Sequence, residues 1–286
     1  MATATVGSAS AMTFSKRVTK AASDARTREW HRATELIKLF VATGCVANVR
    51  PQSLLFNSEP GSGKTELLER FMGNEQLSFA SDLTSRGIHM ILRKAQRGAV
   101  THIVATEFQK FLMRKASTAE NMLGTLTQAL EEGVRETYIG NKLDDFGGAR
   151  IGLIGAITGE TLSKRRDILR EVGFVSRVAI FKWGMPDEEL RVVMNKISHG
   201  DETDLESVAV PMPMKPIHVE LSPKLSASLQ DYVWKSFREH TLLRLFNRFR
   251  ALSMASAILN GRDIVKAEDV EFVGSYHPYW RVMERG

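Results

Sequence analysis

The sequence predicts an α/β protein, a parallel sheet with helices on both faces, followed by a helical segment. Three observations predict this. Short apolar runs alternate with amphipathic helical stretches through the first two thirds of the chain. One such run, Ser53-Leu54-Leu55-Phe56, leads into a glycine-rich loop that opens a helix. From Pro186 onward the strand-like runs stop and helical spacing takes over. The expected organisation is a flexible tail over 1–15, an α/β base over 16–186 and an α-helical lid over 187–286, with an extended connector at 199–221.

Each element has its own signal. Residues 16–42 carry Trp30, Ala33, Leu36, Ile37, Phe40 and Val41 at helical spacing, and Gly44 is the stop. A strand follows Pro51. After the loop helix, 77–80 reads as a short strand, and Asp82 is placed to cap a helix reaching Lys94. Residues 100–105 form a second apolar strand, 108–114 a short helix, and 118–132 an amphipathic helix with Met122, Leu123, Leu126 and Leu130 on one face. Two strand-like runs, 134–139 and 149–157, flank a turn-rich stretch, 140–148, which reads as a hairpin tip. Residues 162–172 form a basic helix and 178–181 a strand. Helices are expected at 187–198, 223–240, 242–259 and 266–273, with Tyr276, Tyr279 and Trp280 packing back at the end.

Composition narrows the class. A 43% hydrophobic and 25% charged chain of 286 residues is a globular one rather than a disordered one. The net charge of +6 permits contact with a polyanion. Cys45 is the only cysteine, so neither an internal disulfide nor a cysteine-based zinc site can form. The seven histidines have no metal-ligand spacing, and His102 reads as a satisfied strand residue. No apolar run approaches the length of a membrane span, and the first residues do not read as a secretory signal. A cytoplasmic protein with no membrane partner is expected.

The glycine-rich loop is Ser58-Glu59-Pro60-Gly61-Ser62-Gly63-Lys64-Thr65. Strand, loop and Gly-Lys-Thr at a helix start form the context of a phosphate-binding P-loop. Gly61 and Gly63 adopt backbone angles that other residues resist, so loop N–H groups can turn toward phosphate oxygens beside a positive helix terminus. Lys64 would reach the β- and γ-phosphates, and the Thr65 hydroxyl would bind Mg²⁺. The full pattern begins with glycine; Ser58 stands in that place.

Hydrolysis also needs a carboxylate to orient water and support for the metal. The strand 103–105 ends in Thr106-Glu107 where Asp-Glu is usual. Glu107 sits at the place of the water-activating carboxylate. Thr106 takes the metal-supporting position with an uncharged hydroxyl. Either Mg²⁺ is held through Thr65, phosphates and water with slow turnover, or the site binds ATP as a switch.

Together these features resemble the AAA+ ATPases over about 20–275. The run Ile151-Gly152-Leu153-Ile154-Gly155-Ala156-Ile157-Thr158 resembles their sensor-1 strand, which implies that Thr158 faces the γ-phosphate. Gly173-Phe174-Val175-Ser176-Arg177 resembles the Ser-Arg-Phe segment of minichromosome-maintenance helicases. That implies Arg177 as the finger reaching a neighbouring subunit, with Arg170 and then Arg166 as alternatives. The C-terminal stretch through Gly261-Arg262-Asp263 resembles the lid of MoxR and minichromosome-maintenance ATPases, and its count places Arg244 at the sensor-2 position, with Arg248 as the alternative; a protein of phage or mobile-element type is the expectation.

The resemblance implies ATP and Mg²⁺ as cofactors and a ring or helical homo-oligomer, hexameric in the helicase branch. The hairpin before the sensor strand corresponds to one that faces the pore of ring helicases. Lys142 at its tip, with Arg135 and Arg150 beside it, is the candidate polymer contact, although Asp144 and Asp145 bring the tip near neutrality. The implied activity is an ATPase that moves or remodels DNA or a DNA-bound complex. The alternatives are a MoxR-like protein remodeller and an ATP switch that assembles on DNA. A protein partner would supply specificity.

Overall fold

Five strands lie parallel, and their order places the P-loop strand second from one edge. The computed structural model describes residues 28–139, 142–184, 186–200, 207–237 and 242–280, with backbone alone for Ile139 and Lys142. The strands are β1 (Ser53–Asn57), β2 (Leu77–Phe79), β3 (His102–Ala105), β6 (Gly152–Ile157) and β7 (Val178–Lys182), in the order β2-β3-β6-β1-β7. A separate antiparallel pair joins β4 (Val134–Ile139) to β5 (Lys142–Ala149).

The sheet strands are mostly apolar because both faces are covered. Alternate residues divide between two cores. Leu54, Phe56, Ile154, Ala156, Ala179 and Phe181 belong to one. Leu55, Leu153, Ile157, Val178 and Ile180 belong to the other. On the first face lie α1 (Arg28–Ala42), α2 (Lys64–Glu69) and the C-terminal helices α9 (Pro223–Ser236), α10 (Leu242–Leu259) and α11 (Ala267–Gly274). On the second lie α3 (Ser85–Gln96), the single-turn α4 (Gln109–Leu112), α5 (Ala116–Leu130), α6 (Gly159–Lys164) and α7 (Arg166–Glu171). Helix α8 (Asp187–His199) ends at Gly200 in the left-handed conformation.

His102 is buried in β3 and satisfied at both ring nitrogens. Nε2 lies 3.1 Å from the Gln52 carbonyl and Nδ1 lies 3.0 Å from the Thr101 hydroxyl. A carbonyl only accepts, so Nε2 carries the proton. Gly152 makes room for the ring; a Cβ there would run into the imidazole.

The aromatic end packs as expected. Tyr279 stacks on Phe181 at 4.8 Å and Trp280 contacts Phe249 at 4.6 Å. Asp269 is buried and accepts from Ser256, Arg262 and the Lys266 amide, which ties α11 to the end of α10.

Three expectations need correction. Thr84, not Asp82, caps α3, its hydroxyl accepting from Gly87 N at 3.0 Å. Asp82 instead pairs with Arg114. The basic helix at 162–172 is two helices meeting at Arg165. The stretch expected as a hairpin tip is mostly strand: β5 pairs back onto β4, and β6 starts afresh at Gly152. Packing overrides the turn-rich composition here, because Phe146 is buried against His89 of α3. Asp144 is therefore in β5, paired with Arg93, and Asp145 accepts from Gly147 N at 2.7 Å. Among the described residues no helix is long and apolar enough to cross a membrane. The expected tail at 1–15 lies outside the described residues.

Candidate functional site: a P-loop cavity and an arginine edge

At the C-terminal end of β1 the chain turns through the P-loop into α2. Gly61 and Gly63 have φ of 76° and 82°, a region where a side chain is strained, and a Cβ at Gly61 would project into open space. The loop lines a cavity of about 380 Å³ together with Glu66, Thr106, Glu107, Gln109, Met113, Ala156, Thr158, Glu160 and Thr161. The expected strand-end residues Thr106, Glu107 and Thr158 therefore face Lys64 and Thr65 across one cavity, brought there by β3 and β6 beside β1.

Lys64 Nζ donates to the carbonyls of Ser58 at 2.9 Å and Glu59 at 2.7 Å and to the Ser58 hydroxyl at 2.9 Å. Burial pushes its pKa down to about 8, against the raising influence of Glu59 and Glu66. Ser58 has a visible task in the place usual for glycine: its hydroxyl lies 2.6 Å from that of Ser62 and ties the loop's start to its crown. Glu107 is paired with Lys110 one turn on. The Thr158 hydroxyl accepts from Thr161 N at 3.3 Å and donates to the Thr161 hydroxyl at 3.0 Å, so it caps α6 as well as lining the cavity.

The cavity suits a nucleotide polyphosphate with Mg²⁺. Its mouth is a left-handed glycine cradle with one ammonium, and the hydroxyls of Thr65 and Thr106 offer neutral oxygen ligands or water anchors. Among the described residues no group of three or more His, Cys, Asp or Glu side chains gathers as a metal site. Sequence reasoning missed Glu66. It is 5% exposed, lines the cavity and has a buried Oε2 with no hydrogen-bond partner among the described residues. Its position directly after Thr65 was the available signal.

The expected arginines lie elsewhere. Arg177 and Arg244 both engage Glu131, at the N-terminal edge of the sheet, and neither lines the P-loop cavity. Arg244 Nε and Nη2 each donate to Glu131 at 3.0 Å, and Nη1 donates to the Ser176 hydroxyl at 2.8 Å. Arg177 Nε lies 2.6 Å from Glu131 Oε2 without the alignment of a hydrogen bond, while Nη1 donates to Gly173 O at 2.8 Å. Arg50 Nη1 donates to the same carboxylate at 2.6 Å. Burial raises the Glu131 pKa, but hydrogen bonds from Arg50 and Arg244 and the charges of Arg50 and Arg177 outweigh it and hold the carboxyl below its ordinary value. An Arg244 covering its own chain's phosphates is therefore not the arrangement found. Arg248, its alternative, is buried in α10.

Of the hairpin cations, Arg135 is exposed on β4, and Arg150 donates from Nε to Glu132 O at 3.3 Å. The Lys142 side chain lies outside the described residues.

Strand order and flanking helices define a mixed α/β protein with a parallel central sheet, and the glycine cradle follows the strand second from its edge. Among solved structures, the chain is similar to a full-length MCM homolog from Methanopyrus kandleri. The TM-score is 0.54 at 14% identity, over 92% of this chain. The chain spans 58% of the length of that homolog, and the likeness is one of fold. No family model matches the chain. No curated protein matches it.

Proposed function

We propose that the chain is an oligomeric AAA+ ATPase that uses ATP with Mg²⁺ to move or remodel DNA or a DNA-bound complex. One observation carries this reading: Lys64, Thr65, Glu107 and Thr158 meet at one edge of the sheet, while Arg177 and Arg244 cluster at the other. The five residues of β1 separate these edges by about 17 Å. A phosphate on Lys64 is out of reach of the same chain's Arg177 and Arg244, and a second copy presenting its arginine edge completes the site.

Within that site Lys64 would bind the β- and γ-phosphates, and Thr65 would hold Mg²⁺, which would neutralise charge on the phosphates. Glu107 orients and deprotonates the attacking water, and Thr158 positions it. Arg177 and Arg244 from the neighbour stabilise the developing charge. Mixing Lys64→Ala and Arg177→Ala subunits tests the shared site. Each variant alone is inactive, and the mixture regains part of the ATPase rate. A mixture as inactive as its parts sinks the reading. The DNA part is tested by stimulation of that rate by single- or double-stranded DNA at low salt.

A second reading, a slow or non-hydrolysing ATP switch, is favoured by the uncharged Thr106 and by the engagement of Glu107 with Lys110.

A further inference from the structure

The N-terminal edge of the sheet has a chemistry that the shared site does not use up. β6, β1 and β7 are parallel neighbours, so their first residues lie side by side. An arginine lies one to three residues before each: Arg150 before β6, Arg50 before β1 and Arg177 before β7. Helix α10 comes over this edge with Arg244, Asn247 and Arg250, one on each successive turn.

Beside them lies a cavity of about 250 Å³ whose charged lining is Arg50, Arg150, Arg250 and Glu131, with Asn48, Gln52 and Asn247 as its neutral polar groups. The one carboxylate is already engaged by Arg50, Arg177 and Arg244. Arg150 spends a single Nε bond on a carbonyl. Arg250 is exposed and has no hydrogen-bond or ion-pair partner among the described residues. Converging guanidinium forks with unspent donors match the geometry of phosphate oxygens, which they grip in pairs. A cavity built to take a cation or an apolar ligand would not be lined in this way.

We propose that this cavity binds a phosphate group, held by Arg50, Arg150 and Arg250. The chain's own P-loop lies at the far end of β1, about 17 Å away, and cannot supply that phosphate. The group comes from another molecule, either the terminal phosphates of a nucleotide or the phosphodiester of a nucleic acid. The inference does not depend on the assembly proposed above.

The test uses the full chain carrying Lys64→Ala, in which the P-loop is disabled. Inorganic tripolyphosphate is titrated at low salt and followed by calorimetry. Binding persists in Lys64→Ala, and adding Arg150→Lys with Arg250→Lys weakens it about tenfold or more, because charge is kept while the fork is lost. Both arginines are exposed, so the variants keep the fold, which thermal unfolding verifies. Absence of binding in Lys64→Ala, or equal affinity in the lysine variant, overturns the proposal. A single-stranded oligonucleotide without terminal phosphates then assigns the source. Displacement of tripolyphosphate points to phosphodiesters, and no displacement points to nucleotide terminal phosphates.

Discussion

Arg177 and Arg244 share one carboxylate: their Nε atoms lie 2.6 Å and 3.0 Å from the two oxygens of Glu131. One comes from the turn before β7 and the other from α10, so Glu131 fastens the C-terminal helices to the sheet edge. Glu131→Gln leaves three arginines facing a neutral amide. A loss of about 1–3 kcal/mol is expected in urea unfolding, discounted for partial exposure. The depressed pKa sets the sign with acid. Stability from the ionised carboxylate is present above the usual carboxylate range and is lost as pH falls through the lower folded value. The acid limb of the parent's stability curve is flattened in Glu131→Gln.

Nucleotide affinity should weaken between pH 7 and pH 9. Only the ammonium form of Lys64 attracts phosphate, and burial pushes its pKa down to about 8. Binding of a fluorescent nucleotide measures this. Lys64→Ala lowers affinity by at least about tenfold and removes the pH dependence over that range.

Thr106→Asp places a carboxylate in the P-loop cavity beside the proposed Mg²⁺ position. Mg²⁺ is then required at roughly tenfold lower concentration, and turnover rises. Titrating nucleotide binding with Mg²⁺ separates the metal effect from catalysis. Glu107→Gln lowers turnover by roughly a hundredfold or more if water is activated there. Equal inactivity of parent and variant favours the switch reading.

His102 makes the fold acid-sensitive. Burial drives its pKa down to about 4, against the raising influence of its bond to Gln52. The folded state keeps the ring neutral while the unfolded chain takes up a proton near pH 6.5. Stability is full above that pH and declines toward pH 4, by on the order of 3 kcal/mol. His102→Gln flattens that window in denaturant titrations at successive pH values.

The P-loop was legible because its information is local: glycines, lysine and threonine sit in eight consecutive residues between a strand and a helix. Glu107 and Thr158 were legible for a related reason, since each ends an apolar strand and parallel strands bring their ends together. Strand β5 was not, because Asp144, Asp145, Gly147 and Gly148 look like turn residues and only burial of Phe146 under α3 makes them strand. The convergence of Arg50, Arg177 and Arg244 on Glu131 joins segments far apart in sequence, and no spacing rule reaches across them. Glu66 escaped notice because an acidic residue in the first turn of a helix is ordinary until its burial is known.

In the extended connector expected over 199–221, Val208 and Val210 bond Arg70 and Asn74, and the part at 217–220 is stitched twice more. Ile217 exchanges main-chain hydrogen bonds with the 45–47 turn, and Glu220 does so with the 263–265 loop. In mechanical terms it is a tie rod with one end on the turn that feeds β1 and the other on the loop between α10 and α11. A pull on that loop is delivered to the strand that carries the phosphate cradle. Displacement of the strand that leads into the glycine loop reaches α10 and α11 through the same main-chain bonds.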